Sequence, residues 1–167
     1  MVSRMMDGAS LITRIAKNLH LLHFTVSKVE DMAFMFQDAE AFDSNLNWEP
    51  TSLKVMNHMF HNAFSFNGDL SSWQPSKATN FNLAFWNSIS FNKDVSTWSI
   101  SSATNMELMF FNATSFNQNL CLWADDFPYD GISGDRSGRI FEASGCTNQE
   151  DPNRVRRGPF CATTVCP

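Results

Sequence analysis

At 167 residues, with 43% hydrophobic and 17% charged side chains, the chain is too apolar for a disordered polyelectrolyte and long enough for one domain with a substantial core. A net charge of −5 argues against nucleic acid as a general partner, because phosphate binding needs clustered Lys and Arg to release counterions. Arg14, Lys17 and many asparagines interrupt every apolar run well short of the roughly 18–20 residues of a membrane span, so an integral membrane protein is not expected.

Sixteen Phe and five Trp against a single Tyr point to large rings chosen for burial, hence a phenylalanine-rich core. Residues 1–25 are basic and nearly free of acids, but lack the uninterrupted apolar stretch of a secretory signal. Asn18, Leu21 and Phe24 reproduce columns of the repeat that follows, and Ile12, Ile15, Leu19 and Leu22 form an apolar stripe. This segment is expected to be a degenerate coil or N-terminal cap over the first stacking face.

Residues 26–123 are four repeats of 24 to 25 residues. Three aromatic columns fall into register: Phe36, Phe60, Phe85 and Phe110; Phe42, Phe66, Phe91 and Phe116; Trp48, Trp73, Trp98 and Trp123. Between them run Met32, Met56, Phe81 and Met106, then Ala39, Ala63, Ser88 and Ala113, then Leu46, Leu70, Val95 and Leu120; the first coil is one residue short before its Trp. Within a coil, Val29, Met32, Met35, Phe36 and Ala39 fall at helical spacing. Ser27, Thr51, Ser76 and Ser101 precede that segment as candidate N-caps, with Ser27 and Glu30 as a capping box. Trp98 and Ile100, or Trp73 and Pro75, alternate with polar residues as in a brief strand, and Pro50 and Pro75 keep any ladder there short or at an edge. The expected fold is therefore α/β: a leucine-rich-repeat-like solenoid of about four short-strand, short-helix coils, stacked about 5 Å apart, in one domain over 1–167. In it the Trp and Phe columns become ladders through the core.

The pattern Asn-Met-x-x-Met-Phe-x-x-Ala-x-x-Phe-Asn-x-Asn-Leu-x-x-Trp resembles the repeat of the BspA-like leucine-rich-repeat surface proteins. Asn105–Trp123 is the cleanest copy; Met56–Trp73 and Asn80–Trp98 match nearly as well, and Asp31–Trp48 departs by its deletion and by Asp43 in place of Asn67, Asn92 and Asn117. The resemblance covers roughly residues 24–123 and, more weakly, the tail. It implies a leucine-rich-repeat-like solenoid, usually at a cell surface, with adhesion or interaction roles and no family chemistry; a shared fold says little about the ligand.

Residues 124–167 read as a fifth, decaying coil and a cysteine-bearing C-terminal cap: Ile140, Phe141 and Ala143 echo the Met-Phe-x-x-Ala motif after a loop holding Asp125, Asp126, Asp130, Gly131 and Gly134. Cys121, Cys146, Cys161 and Cys166 are an even set confined to the last third of the chain. Pairing Cys161 with Cys166 would close only a small local loop, so the two pairings that tie each tail cysteine to Cys121 or Cys146 are preferred. Zinc is the rival reading, but the spacing lacks the paired knuckles of structural zinc sites. Disulfides imply an oxidising setting: extracellular, cell-surface or lumenal.

Candidate chemistry is sparse. His58-x-x-His61 and His20-x-x-His23 have a spacing compatible with metal ligation, but no Glu lies between them and the column partners of His61 are Gln37, Trp86 and Phe111. The Asp126 to Gly131 stretch has too few correctly spaced oxygens for a calcium loop. The columns Asp43, Asn67, Asn92, Asn117 and Asn45, Asp69, Asp94, Asn119 read as turn residues that satisfy backbone groups. Asn112-Ala113-Thr114 is a glycosylation sequon explained equally by the repeat, and Arg154 to Arg157 reads as solvated charge although it resembles a dibasic processing site. No nucleophile elbow, phosphate loop or paired catalytic carboxylates appear, so no enzyme, no cofactor and no metal are expected; a metal-dependent enzyme is the remotest alternative.

The expected function is a protein interaction, adhesion or structural module. Phe64, Trp86 and Phe111 are its candidate partner patch, apolar beside the ladders. A carbohydrate- or ice-binding face is the alternative, since Ser71-Ser72 and Ser96-Thr97 recur before Trp73 and Trp98; only two coils keep that pattern.

Overall fold

A computed structural model describes residues 25–129, 138–153, 157–161 and 166. The expected N-terminal stripe and column residues up to Phe24, His20 and His23, Asp130, Gly131, Gly134 and Arg154–Arg156 lie outside the described residues.

Each coil is built from consecutive tight turns. In the first, the amides of Met35, Gln37 and Ala39 return to the carbonyls of Met32, Phe34 and Phe36 at 3.1–3.2 Å. The alternate amides point out of the coil: Met32, Phe34, Phe36 and Asp38 donate to Val55, Asn57, Met59 and His61 of the second coil at 2.8–3.1 Å. The same alternation joins the second coil to the third and the third to the fourth, and it continues from Leu108, Phe110 and Asn112 onto Gly138, Ile140 and Glu142. Half of the backbone in this segment is thus satisfied within a coil and half by the neighbour, as a buried backbone requires.

This arrangement corrects the expected α/β solenoid. Among the described residues there is no α-helix and no sheet; the one helical element is a 3-10 turn at Cys121–Ala124. Parallel pairing is reduced to single-residue bridges linking Asp31, Val55, Asn80 and Asn105. The physical reason lies in the stacking distance. Phe36, Phe60, Phe85 and Phe110 repeat at 5.2 Å, Phe42, Phe66, Phe91 and Phe116 at 5.5–5.8 Å, and Trp48, Trp73 and Trp98 at 6.2–6.4 Å. Packed α-helices need about 8–10 Å between axes, so coils whose columns repeat at 5.2–6.4 Å have no room for one. A helix would also spend its amides on its own carbonyls and leave none for the next coil. Strands fail for a different reason. Each bridge residue is bracketed by turns, as at Val55, between Pro50–Leu53 and Met56–Met59, so pairing cannot propagate.

The helical N-caps are accordingly absent as such. Thr51 donates its hydroxyl to the Ser27 carbonyl at 3.3 Å, and Glu30 pairs with Lys54 at 2.9 Å across coils.

The first and third of these turns place a residue at positive φ in their third position, a conformation costly for side chains other than Gly, Asn and Asp. Two columns carry it. One is Phe34, His58, Leu83 and Leu108, and the other Asp38, Asn62, Asn87 and Asn112, all between 56° and 61°. The second column uses residues that tolerate the conformation, and it forms a ladder: Asn62 donates its amide to Asp38 at 2.8 Å, Asn87 to Asn62 at 2.9 Å and Asn112 to Asn87 at 2.5 Å. Asn87→Ala should therefore cost about 1–3 kcal/mol, from two lost hydrogen bonds and a strained alanine. Asn87→Gly, which removes the strain but not the loss of the ladder, should cost less in urea denaturation. An alanine variant no worse than the glycine one would show that backbone strain plays no part.

Other polar columns also bind coil to coil. The amides of Asn67, Asn92 and Asn117 donate to the side chains of Asp43, Asn67 and Asn92 at 2.9–3.0 Å, and that of Thr147 extends the series onto Asn117 at 3.1 Å. The buried indole N–H groups of Trp73, Trp98 and Trp123 donate to the carbonyls of Leu46, Leu70 and Val95 of the preceding coil at 2.9, 3.3 and 3.2 Å. Where three coils place Ala39, Ala63 and Ala113, Ser88 fits because its hydroxyl reaches the Phe60 carbonyl at 2.6 Å. Gly68 faces Ser44 in the shortened first coil, and a Cβ there would fall on the Ser44 carbonyl oxygen.

The C-terminal end is closed by Phe141, stacked on Phe110 at 5.9 Å, and by a crosslinked tail. Cys121 is bonded to Cys166 and Cys146 to Cys161, with Cα separations of 5.2 and 4.7 Å, one of the two pairings that tie down both tail cysteines. Cys161 bridges to Asn119, Phe160 is buried edge-on against Phe127, and Arg157 pairs with Asp125.

Candidate functional site

The twelve Phe and Trp ladder residues are buried, none more than 4% exposed. They hold the coils together and face no solvent. What the stack presents outward is a second set of rings, set by the turns at the positive-φ column and three residues beyond it.

Phe34 stacks on His58 with centroids 4.7 Å apart; His58 lies 5.4 Å from His61; His61 stacks on Trp86 at 4.6 Å and 10°; Trp86 stacks on Phe111 at 6.0 Å and 7°. The Arg139 guanidinium closes the series 5.2 Å from the Phe111 ring, itself paired with Glu142. Five rings and a cation thus run along one outer wall across all five coils. Phe34 is 53% exposed, and His58, His61, Trp86 and Phe111 are half-buried. Leu83 and Leu108, also half-buried, complete the column of Phe34 and His58.

Of the patch expected from the sequence, Trp86 and Phe111 come together on this wall. Phe64 belongs to another column, with Glu40, Ile89 and Thr114, and its carbonyl accepts the Ser90 amide at 3.2 Å. Phe34, His58, His61 and Arg139 were not legible as members of the patch. The trace was present only as bulk at one column, Phe34, His58, Leu83 and Leu108, whose outward direction depends on the turn conformation.

Burial pushes the imidazoles of both His58 and His61 below the ordinary histidine range, each charge also opposing the other at His58. Asp38 lies 3.9 Å from His61 Nδ1 and acts in the opposite sense on that ring, but burial is the larger effect. Among the described residues no three His, Cys, Asp or Glu side chains converge as metal ligands. The oxygens of the Asp and Asn columns are occupied by backbone amides, with Asp69 taking both the amide and the hydroxyl of Ser71 at 2.9 and 3.1 Å. Of the hydroxyls considered for a glycan or ice face, Ser71 donates to Asp69 at 3.1 Å and Ser72 to the Trp48 carbonyl at 3.0 Å, whereas Ser96 is buried and Thr97 exposed, so the two coils do not present the same row. In the sequon, the Asn112 amide nitrogen is the donor of the last rung of the ladder.

The geometry defines a repeat protein of stacked turn-built coils with an aromatic outer wall and a crosslinked cap. The chain belongs to the family described as "Mycoplasma protein of unknown function, DUF285", which it matches over residues 2–123, the repeats and the segment before them. The crosslinked segment after Trp123 lies beyond that match. No curated protein and no solved structure shows significant similarity to the chain.

Proposed function

We propose that the chain is a non-enzymatic interaction module that contacts another protein through its outer aromatic wall, at a cell surface or within a larger assembly. The observation that carries this reading is the continuity of the wall from Phe34 to Phe111, because aromatic side chains in contiguous exposed patches are what protein partners cover. The BspA-like character of the repeats supports the same class of role. The two disulfides fit an oxidising, extracellular setting, and no helix among the described residues is long and apolar enough to cross a membrane. A sugar-stacking platform fits less well: neighbouring rings cover one another's faces at 7–24° and show mainly edges outward.

Crosslinking mass spectrometry on the native source, followed by affinity measurement with the partner it identifies, tests the proposal. Trp86→Ala and Phe111→Ala should each weaken binding by about tenfold or more while circular dichroism stays unchanged. A partner bound equally well by both variants would end the proposal.

A further inference from the structure

The two wall columns hold Phe34, Leu83 and Leu108 in one and Trp86 and Phe111 in the other wherever the wall is apolar, and the second coil alone places a titratable ring in both. His58 and His61 stand 5.4 Å apart, with Phe34 stacked against the first and Trp86 against the second. Nothing in the repeat demands imidazole there, since the other coils fill the same backbone positions with phenylalanine, leucine, tryptophan or, at Gln37 of the first coil, glutamine. His61 Nδ1 is buried and accepts no hydrogen bond among the described residues, and His58 Nδ1 lies 3.3 Å from the Asn57 amide nitrogen.

We infer that His58 and His61 make the second coil a proton-sensitive joint, at which acidification loosens the contact of the second coil with the first and third. Charging His58 sets a cation against the Phe34 ring, charging His61 sets one against the Trp86 ring, and charging both sets two cations 5.4 Å apart. Of the charged groups on the adjoining coils, Asp38 faces the pair from the first, 3.9 Å from His61 and half-exposed; the third coil presents the uncharged Leu83, Trp86, Asn82 and Asn87. The carboxylate thus partly offsets the charge on His61, and among the described residues no carboxylate does the same for His58.

The direction with pH follows from burial. The folded chain holds these protons less tightly than the unfolded chain, in which histidine titrates near 6.5. Their contribution to stability is complete above that value and is lost progressively as pH falls from it through the lower values of the folded state. The joint belongs to the stack itself and does not depend on the wall having a partner.

The repeat supplies its own test. His58→Leu copies the third and fourth coils, and His61→Phe copies the fourth. The thermal midpoint of the native protein should fall between pH 7.5 and pH 5.0 by about 2–6 °C more than that of the double variant. An equal fall in both would overturn the inference. Should the double variant not fold, histidine-resolved NMR titration of the native protein decides, with His58→Leu or His61→Phe alone for assignment. Values for both rings below that of an unfolded peptide support the joint, and values for both at or above it overturn it.

Discussion

Phe110→Ala is expected to destabilise the protein by about 3–5 kcal/mol, the largest effect of any single ring. Phe110 has no exposed surface and is the point at which the ladders meet. It stacks on Phe85 at 5.2 Å in the coil before, on Phe116 at 4.0 Å in its own coil and on Phe141 at 5.9 Å in the coil after, with Trp123 at 6.4 Å. Alanine removes the ring and leaves a cavity that the surroundings cannot close, because their spacing is fixed by the backbone bonds from Phe85 to Met109 and from Phe110 to Ile140. Each stacked pair adds about 0.5–1.5 kcal/mol beyond area burial, so several such terms are lost together. Equilibrium urea denaturation measures the change; a loss below about 1.5 kcal/mol would mean that the stack collapses around the gap.

Replacing both Cys121 and Cys166 by alanine should cost about 4 kcal/mol, and replacing Cys146 and Cys161 about 3 kcal/mol, since the loops closed span 45 and 15 residues. The inner crosslink lies within the outer loop and shortens it, so each bond removed alone costs somewhat less than its isolated-loop value and the double loss should slightly exceed the sum of the two single losses. Among the described residues the tail around Cys161 is otherwise held to the coils by polar contacts and one ring: the Leu120 amide to the Phe160 carbonyl at 3.4 Å, the Arg157 pair with Asp125, and Phe160 against Phe127. The urea midpoints of the paired alanine variants, and of native protein with and without reductant, check this. A midpoint unmoved by reduction would show that the cap contributes nothing to the stability of the coils.

The repeat, its length and the contents of its core are legible in the order of residues alone. Rings at 36, 60, 85 and 110, at 42, 66, 91 and 116, and at 48, 73, 98 and 123 recur because stacked coils present one environment again and again, and that identity is visible as columns. It also placed the cysteines in the segment that has little apolar content to hold it. The tertiary structure alone decided the conformation inside a coil. The spacing of Val29, Met32, Met35, Phe36 and Ala39 suits a helix as well as a chain of turns, because both return side chains to one face every three to four residues. Neighbours only about 5 Å away on either side remove the choice, and the backbone accepts positive φ at Phe34, His58, Leu83 and Leu108, residues that favour no such conformation by themselves. The same turns aim those residues outward, so the aromatic wall, and the joint at His58 and His61 within it, exists only once the coils are stacked.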